Sequence, residues 1–216
     1  MTFTRAIGIA ANKLLVLIVR GLALSKIHPN FLTLIGLLIN VYAAVLLASG
    51  RFLFAALVII GAGIFDMVDG RVARATNQVT RFGAFFDSVL DRYSDLFLLM
   101  GLLVYYSNIN RNFYVVLTAV VMTTSVMISY TRSRAENVIP ACKVGFLERP
   151  ERVVLLIIGG LMDRMAPVLW VIAVLGTITV IHRMVFTFDA AKELEKDLDK
   201  DTQPSNKTQA SALTGV

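Results

Sequence analysis

The stretch Phe65 to Asp95, FDMVDGRVARATNQVTRFGAFFDSVLDRYSD, decides the reading of this chain, because it sets aspartates, glycines and arginines inside an otherwise apolar sequence. At 100° per residue Asp66, Asp69, Gly70 and Ala73 fall on one helical face, with Arg74 at its edge. Gly83, Asp87 and Asp91 recur at i, i+4 and i+8, again on one face. Two facing helices of this kind bring four carboxylates, Asp66, Asp69, Asp87 and Asp91, to one point. Uncompensated, such a cluster repels itself severely in low dielectric, so it holds cations or is protonated, and divalent metal is the simpler answer. The plainer alternative is a set of ion pairs with Arg71, Arg74, Arg81 and Arg92, since structural ion pairs gather acids as well.

The surrounding chain is membrane-like. Of 216 residues 56% are hydrophobic and 17% charged, and the mean hydropathy is +0.71, which is too apolar for a soluble domain. Apolar stretches near the length of about 20 residues that crosses a bilayer occur at 31–49, 52–70, 84–107, 112–131, 152–163 and 165–186. The fifth is short and closely bracketed by Arg149, Arg152, Asp163 and Arg164. Residues 3–25 carry Arg5, Lys13 and Arg20 among apolar neighbours, and three interspersed cations make a further span expensive. They suit an amphipathic helix lying in the interface. The expectation is therefore an all-α integral membrane protein: six transmembrane helices plus an N-terminal interfacial amphipathic helix, forming one membrane domain over 1–190. Residues 191–216 begin with alternating charges (KELEKDLDKD) and read as a helical extension fading into a disordered tail.

Basic residues orient the spans. With the N-terminus in the cytoplasm, only Arg51, Arg111 and Arg164 of the 21 Lys and Arg lie on the far side, as the positive-inside rule requires. The net charge of +6 is then mostly topological and is no sign of nucleic acid; membrane lipids and phosphorylated substrates are the natural partners. The aspartates fall on the cytoplasmic side. Cys142 is the single cysteine, so no intrachain disulfide forms, and it reads as a structural thiol. No cleavable secretory signal is expected. Gly61 and Gly63 read as sites of close helix packing.

Two other groups stand out. Pro29 forces His28 out of helical conformation, and Asn30 is placed to cap the helix that follows. Arg132, Arg149, Arg152 and Arg183 lie on three separate segments, all cytoplasmic in this topology, and their convergence would build an anion site. Guanidinium forks suit a phosphate monoester, giving paired charge-assisted hydrogen bonds.

The full spacing, Asp66-x-x-Asp69-Gly70-x-x-Ala73-Arg74, eight residues, Gly83-x-x-x-Asp87-x-x-x-Asp91, resembles without gap or substitution the signature of the CDP-alcohol phosphatidyltransferase family. That resemblance covers the six spans. It implies transfer of a phosphatidyl group from a CDP-linked lipid donor to an alcohol with release of CMP, and a homodimer. It also implies that Gly70, Ala73, Arg74 and Gly83 cradle CDP, with Pro29, Asn30 and Thr33 beside the nucleotide. The stretch Asp87 to Asp95, with Gly145 to Arg152, looks like the branch that makes phosphatidylinositol phosphate or its archaeal ether-lipid counterpart. The acceptor, a phosphorylated polyol, is then inositol phosphate, and glycerol 3-phosphate is the alternative.

The residues fit that chemistry on their own terms. A pyrophosphate donor needs metal to neutralise its charge, and an acceptor hydroxyl needs a base. Asp66, Asp69 and Asp87 are the expected ligands, with Asp91 as additional ligand and catalytic base. Carboxylate oxygens select Mg²⁺ or Mn²⁺ over zinc, and two ions are expected. A cation transporter is the non-enzyme alternative, because carboxylates inside a membrane also mark ion paths.

Overall fold

The computed structural model describes residues 29–75 and 80–202, with side chains described over 30–67 and 80–197. Every regular element in that range is helical: α1 (Pro29–Ala48), α2 (Phe52–Ala75), α3 (Arg81–Asn108), α4 (Asn112–Ala135), α5 (Arg149–Leu161) and α6 (Met165–Thr202). Pro29 opens α1, where its missing N–H costs nothing and its fixed φ is already helical. Thr80 caps α3 from an extended backbone, its Oγ1 accepting a hydrogen bond from the Gly83 N–H at 2.9 Å. The stretch 3–25, expected at the interface, and the expected tail beyond Thr202 lie outside the described residues. Residues 192–202 continue α6 as helix.

Three tight turns on one side share a single construction. Gly50, Asn110 and Asp163 each adopt positive φ, at 72°, 56° and 55°, and each is followed by an arginine. The N–H groups of Arg51, Arg111 and Arg164 reach back five residues to the carbonyls of Leu46, Tyr106 and Gly159 at 2.9, 2.9 and 2.8 Å. This is the Schellman closure, which satisfies the last carbonyls of a helix and stops it. The three cations assigned to the far side therefore occupy equivalent places at the ends of α1, α3 and α5.

Helix α1 packs on α2 and α3, α3 on α4, α4 on α6, and α5 joins α2 to α6. The core runs through Ala43, Leu47, Ala55, Ile59, Leu98, Leu102, Val121, Leu169 and Ile172. A Cβ at Gly101 would run into the Ala44 carbonyl, so α1 and α3 meet backbone to backbone. Large apolar side chains such as Leu38, Leu53, Val116 and Val174 face outward, the reverse of a soluble protein and what contact with lipid favours. Gly61 and Gly63 do not serve the expected helix packing, because no neighbour among the described residues lies within 4 Å of a Cβ built at either. The packed face of α2 is occupied by Ala55, Ala56, Ile59 and Ala62 instead.

Among the described residues three helical segments are long and apolar enough to cross a membrane, Asn30–Ala48, Asn112–Ala135 and Met165–Asp197, and α2 adds the shorter apolar run Phe52–Met67. The chain is thus an integral membrane protein of all-α fold. Charge and length set the remaining helices apart: α2 and α3 carry the aspartates and arginines, and α5, at 13 residues, is only about 20 Å long.

Candidate active site

The site lies where the end of α2, the first half of α3 and the start of α5 meet. Helix α2 delivers Asp66, and α3 delivers Asp87, Asp91 and Asp95 from successive turns of one face. Together with Asn40 of α1 and Arg149 they line a cavity of about 580 Å³ whose remaining wall is apolar apart from Ser94, including Ile59, Met67 and Val153. Arg149 enters from the first residue of α5. Its Nη2 lies 3.3 Å from Asp66 Oδ2 and 2.9 Å from Asp91 Oδ1, and its Nε is 3.5 Å from Asp95 Oδ1. Burial disfavours the Arg149 charge, yet Asp91, Asp95 and Asp66 outweigh it and hold the pKa above the ordinary arginine value.

Helix α1 closes the cavity from the opposite side. A Cβ at Gly36 would stand 2.9 Å from Asp66 Oδ1, so only glycine lets the carboxylate rest against α1 unhindered. One turn on, buried Asn40 donates through Nδ2 to the Gly36 carbonyl at 3.1 Å. At the start of α3, a Cβ at Gly83 would lie 3.0 Å from Thr80 Oγ1 and 3.3 Å from Asn30 Oδ1. The Pro29-Asn30 turn and the Gly83 turn, more than fifty residues apart, are therefore neighbours.

A second pocket of about 420 Å³ adjoins the first, and Arg149 and Pro150 line both. Its polar wall includes Ser88, Arg92, Arg132, Glu136, Glu148 and Arg183. Arg183 is 1% exposed and donates to two main-chain carbonyls, through Nε to Val144 at 2.8 Å and Nη1 to Ile128 at 2.5 Å. Its Nη2 faces Glu148 Oε1 at 3.0 Å, and Arg132 Nη1 meets the same oxygen at 2.8 Å. The loop before α5 is thereby tied to α4 and α6. Gly145, at φ 119°, leaves room for this, since a Cβ there would crowd Thr179 and Arg183.

Of the residues singled out in the sequence, the structure brings Asp66, Asp87, Asp91 and Arg149 to one cavity, and Arg132, Arg149 and Arg183 to the other. Arg152 joins neither: it is 4% exposed, with Nη2 2.5 Å from Asp95 Oδ2. Asp69, Gly70, Ala73 and Arg74 fall in the last two turns of α2, and their side chains lie outside the described residues, as does that of Pro29. Thr33 is the fifth residue of α1. Cys142 is fully buried beside Ala135 and Ile139. Sequence reasoning passed over Gly36, Asn40, Glu148 and Asp95. Asp95 was detectable, since it stands four residues after Asp91 and extends the Gly83, Asp87, Asp91 series.

Among the described residues no three acidic, histidine or cysteine side chains are close enough to grip an ion by themselves, and Asp69 is not among them. The donor chemistry nonetheless fits a hard divalent cation, because carboxylates from two helices already converge on one cationic group, the Arg149 guanidinium.

An all-helical membrane fold with a carboxylate cavity beside an arginine-lined pocket is the arrangement of this chain. The CDP-alcohol phosphatidyltransferase model matches residues 26–195, and the chain belongs to that family of enzymes. It is 34% identical over 170 residues to the archaetidylinositol phosphate synthase of Methanothermobacter thermautotrophicus, covering 76% of this chain and 84% of that one. The phosphatidylinositol phosphate synthase of Mycobacterium tuberculosis is 33% identical over 178 residues, 77% of this chain and 82% of the relative. A crystal structure of the Mycobacterium tuberculosis phosphatidylinositol phosphate synthase with CDP-DAG bound superposes with a TM-score of 0.76 at 31% identity, covering 82% of this chain and 94% of that one. A second crystal structure of that enzyme, in complex with manganese and citrate, gives a TM-score of 0.73 at 31% identity, covering 79% and 87%.

Proposed function

We propose that this enzyme transfers a phosphatidyl or archaetidyl group from a CDP-linked lipid to a hydroxyl of inositol phosphate, releasing CMP. The observation that carries the reading is the pair of adjoining pockets, one lined by aspartates and one by arginines, with Arg149 and Pro150 as their common wall. A pyrophosphate needs the first, and an acceptor that is itself a phosphate monoester needs the second. Relatives at about one-third identity that are archaetidylinositol phosphate and phosphatidylinositol phosphate synthases support the same acceptor.

In this reading Asp66, Asp69, Asp87 and Asp91 would hold Mg²⁺ or Mn²⁺, two ions by the number of carboxylates. Bound there, metal supplies neutralising charge for the pyrophosphate. Gly70, Ala73, Arg74 and Gly83 cradle CDP with Pro29, Asn30 and Thr33; the closeness of Gly83 to Asn30 supports grouping them. Arg132, Arg149 and Arg183 orient the acceptor phosphate. The acceptor oxygen forms a bond to the lipid-side phosphorus as the bond from that phosphorus to the CMP oxygen breaks. The hydroxyl proton passes to Asp91, whose carboxylate lies in the same cavity. Arg152, away from both pockets, positions Asp95 and through it Arg149.

The proposal includes six spans in one membrane domain over 1–190, residues 3–25 at the cytoplasmic interface, and a homodimer. It sets the site on the cytoplasmic side, where soluble acceptor meets a headgroup whose chains stay in lipid. Purified protein given CDP-diacylglycerol and a panel of acceptors tests it. CMP release with inositol phosphate and little with free inositol is the expected result. Preference for glycerol 3-phosphate would keep the chemistry and replace the acceptor, because that phosphate suits the same arginines.

A further inference from the structure

Glu148 and Arg149 are consecutive, opposite in charge, and directed into different pockets. Glu148 Oε1 takes hydrogen bonds from Arg132 at 2.8 Å and Arg183 at 3.0 Å, the donors an acceptor phosphate would use. Arg149 Nη2 lies against Asp66 and Asp91 at 3.3 and 2.9 Å, the oxygens a divalent cation would use. Neither side chain is committed to capping α5: Glu148 stands at the N-cap with extended backbone and makes no side-chain cap hydrogen bond. Both remain reachable from water, with side-chain exposures of 43% and 30%. Each ligand therefore meets a charge of its own sign already at its site.

We propose that Glu148 and Arg149 form a charge-paired plug that makes the two pockets interdependent: a divalent cation among the aspartates drives Arg149 toward the anion pocket, where it joins the guanidinium groups that an acceptor phosphate frees by displacing Glu148. The inference rests on the proposed function and adds an order of events to it. Because Arg149 lines both pockets, a side-chain rotation suffices and α5 need not move. Leaving the aspartates would strand their charges in a partly apolar cavity, so Arg149 departs only when another cation replaces it. Once turned, it favours an anion in the neighbouring pocket. Linkage makes the effect reciprocal, so cation and anion each tighten the other's binding by the same factor.

Titration calorimetry on the full chain in detergent tests this, with Mn²⁺ as the cation and sulfate as a dianion that does not precipitate it. In the unaltered protein Mn²⁺ tightens sulfate binding about fivefold or more, in the range of ordinary coupling energies. Arg149→Gln tightens Mn²⁺ about fivefold or more and reduces that coupling severalfold, whereas Arg149→Lys, which keeps a competing cation, stays near the starting Mn²⁺ affinity. Glu148→Gln tightens sulfate by a similar factor. If Glu148 only orients the arginines, Glu148→Gln weakens sulfate, and that result overturns the plug. Unchanged or weaker Mn²⁺ binding in Arg149→Gln overturns it too, as does absence of coupling in the unaltered protein, which needs no variant to fold. Failure of Mn²⁺ to bind any of these proteins would overturn the proposed function as well, whereas binding without competition refutes the plug alone.

Discussion

Arg152 Nη2 lies 2.5 Å from Asp95 Oδ2, and both side chains are withdrawn from solvent, at 5% and 9% exposure. The pair joins the start of α5 to the middle of α3 beneath the carboxylate cavity. Asp95 also faces Arg149 Nε through its other oxygen, so the depth at which Arg149 reaches the aspartates depends on it. Breaking one side of a buried ion pair leaves an uncompensated charge and costs about 3–5 kcal/mol. Arg152→Ala and Asp95→Ala should therefore each lower the melting temperature in detergent sharply. The double replacement Asp95→Leu with Arg152→Met should recover most of the loss. An Arg152→Ala protein with unchanged melting temperature and a raised acceptor KM would return Arg152 to the acceptor site.

Metal dependence is the second expectation. Chelation with EDTA should abolish CMP release, and Mg²⁺ or Mn²⁺ should restore it. Asp66→Asn should raise the Mn²⁺ concentration needed for half-maximal rate, because an anionic oxygen is lost. Asp91→Asn should depress kcat more than it alters donor KM, since a missing base acts on the chemical step. Full turnover in chelator would refute the metal assignment, and near-normal kcat in Asp91→Asn would refute the base.

Arg132 offers the cleanest test of the acceptor pocket. Its side chain is 39% exposed and pairs with Glu136 and Glu148, so Arg132→Ala should fold. A lost charged hydrogen bond costs about 1.5–3 kcal/mol, which corresponds to an acceptor KM roughly ten to a hundred times higher with donor KM little changed. Lysine should rescue in part, having charge without the planar fork. An unaltered acceptor KM would remove Arg132 from the site.

Gly36→Ala probes the approach of α1 to the aspartates. The added Cβ would stand 2.9 Å from Asp66 Oδ1, and that carboxylate, the end of a movable side chain, should give way. Helix propensity favours alanine over glycine, so stability should hold or rise while Mn²⁺ affinity falls. Unchanged Mn²⁺ affinity would mean that Asp66 ligates from a different rotamer.

The three arginine turns should share one face of the membrane. Cysteines placed next to Arg51, Arg111 and Arg164 in a Cys142→Ser background should react with an impermeant reagent from outside the cell, and one placed between Ala75 and Gln78 should not. External labelling at that last site would move the active site to the opposite side.

The sequence determined what repeats locally. A period of 3.6 residues put Asp87 and Asp91 on one face of α3, apolar length marked out the membrane fold, and Arg51, Arg111 and Arg164 marked three breaks between apolar stretches. Each of these follows from backbone geometry within one or two turns, so no distant residue is needed to recognise it. Asp95 obeyed the same period, and extending the series one step would have reached it. What remained illegible joins residues far apart in the chain: Arg149 to Asp66 across 83 positions and Arg152 to Asp95 across 57. Four arginines looked equivalent in the sequence, yet less than one turn of α5 separates a guanidinium shared by two pockets, Arg149, from one buried in the scaffold, Arg152. Which carboxylate each arginine meets depends on how α5 crosses α2 and α3 and on where the loop before it pins Glu148. Only packing sets that crossing, because the close approaches at Gly36 and Gly101 between helices, and at Gly145 between the loop before α5 and α6, join segments distant in the chain and leave no period in the sequence.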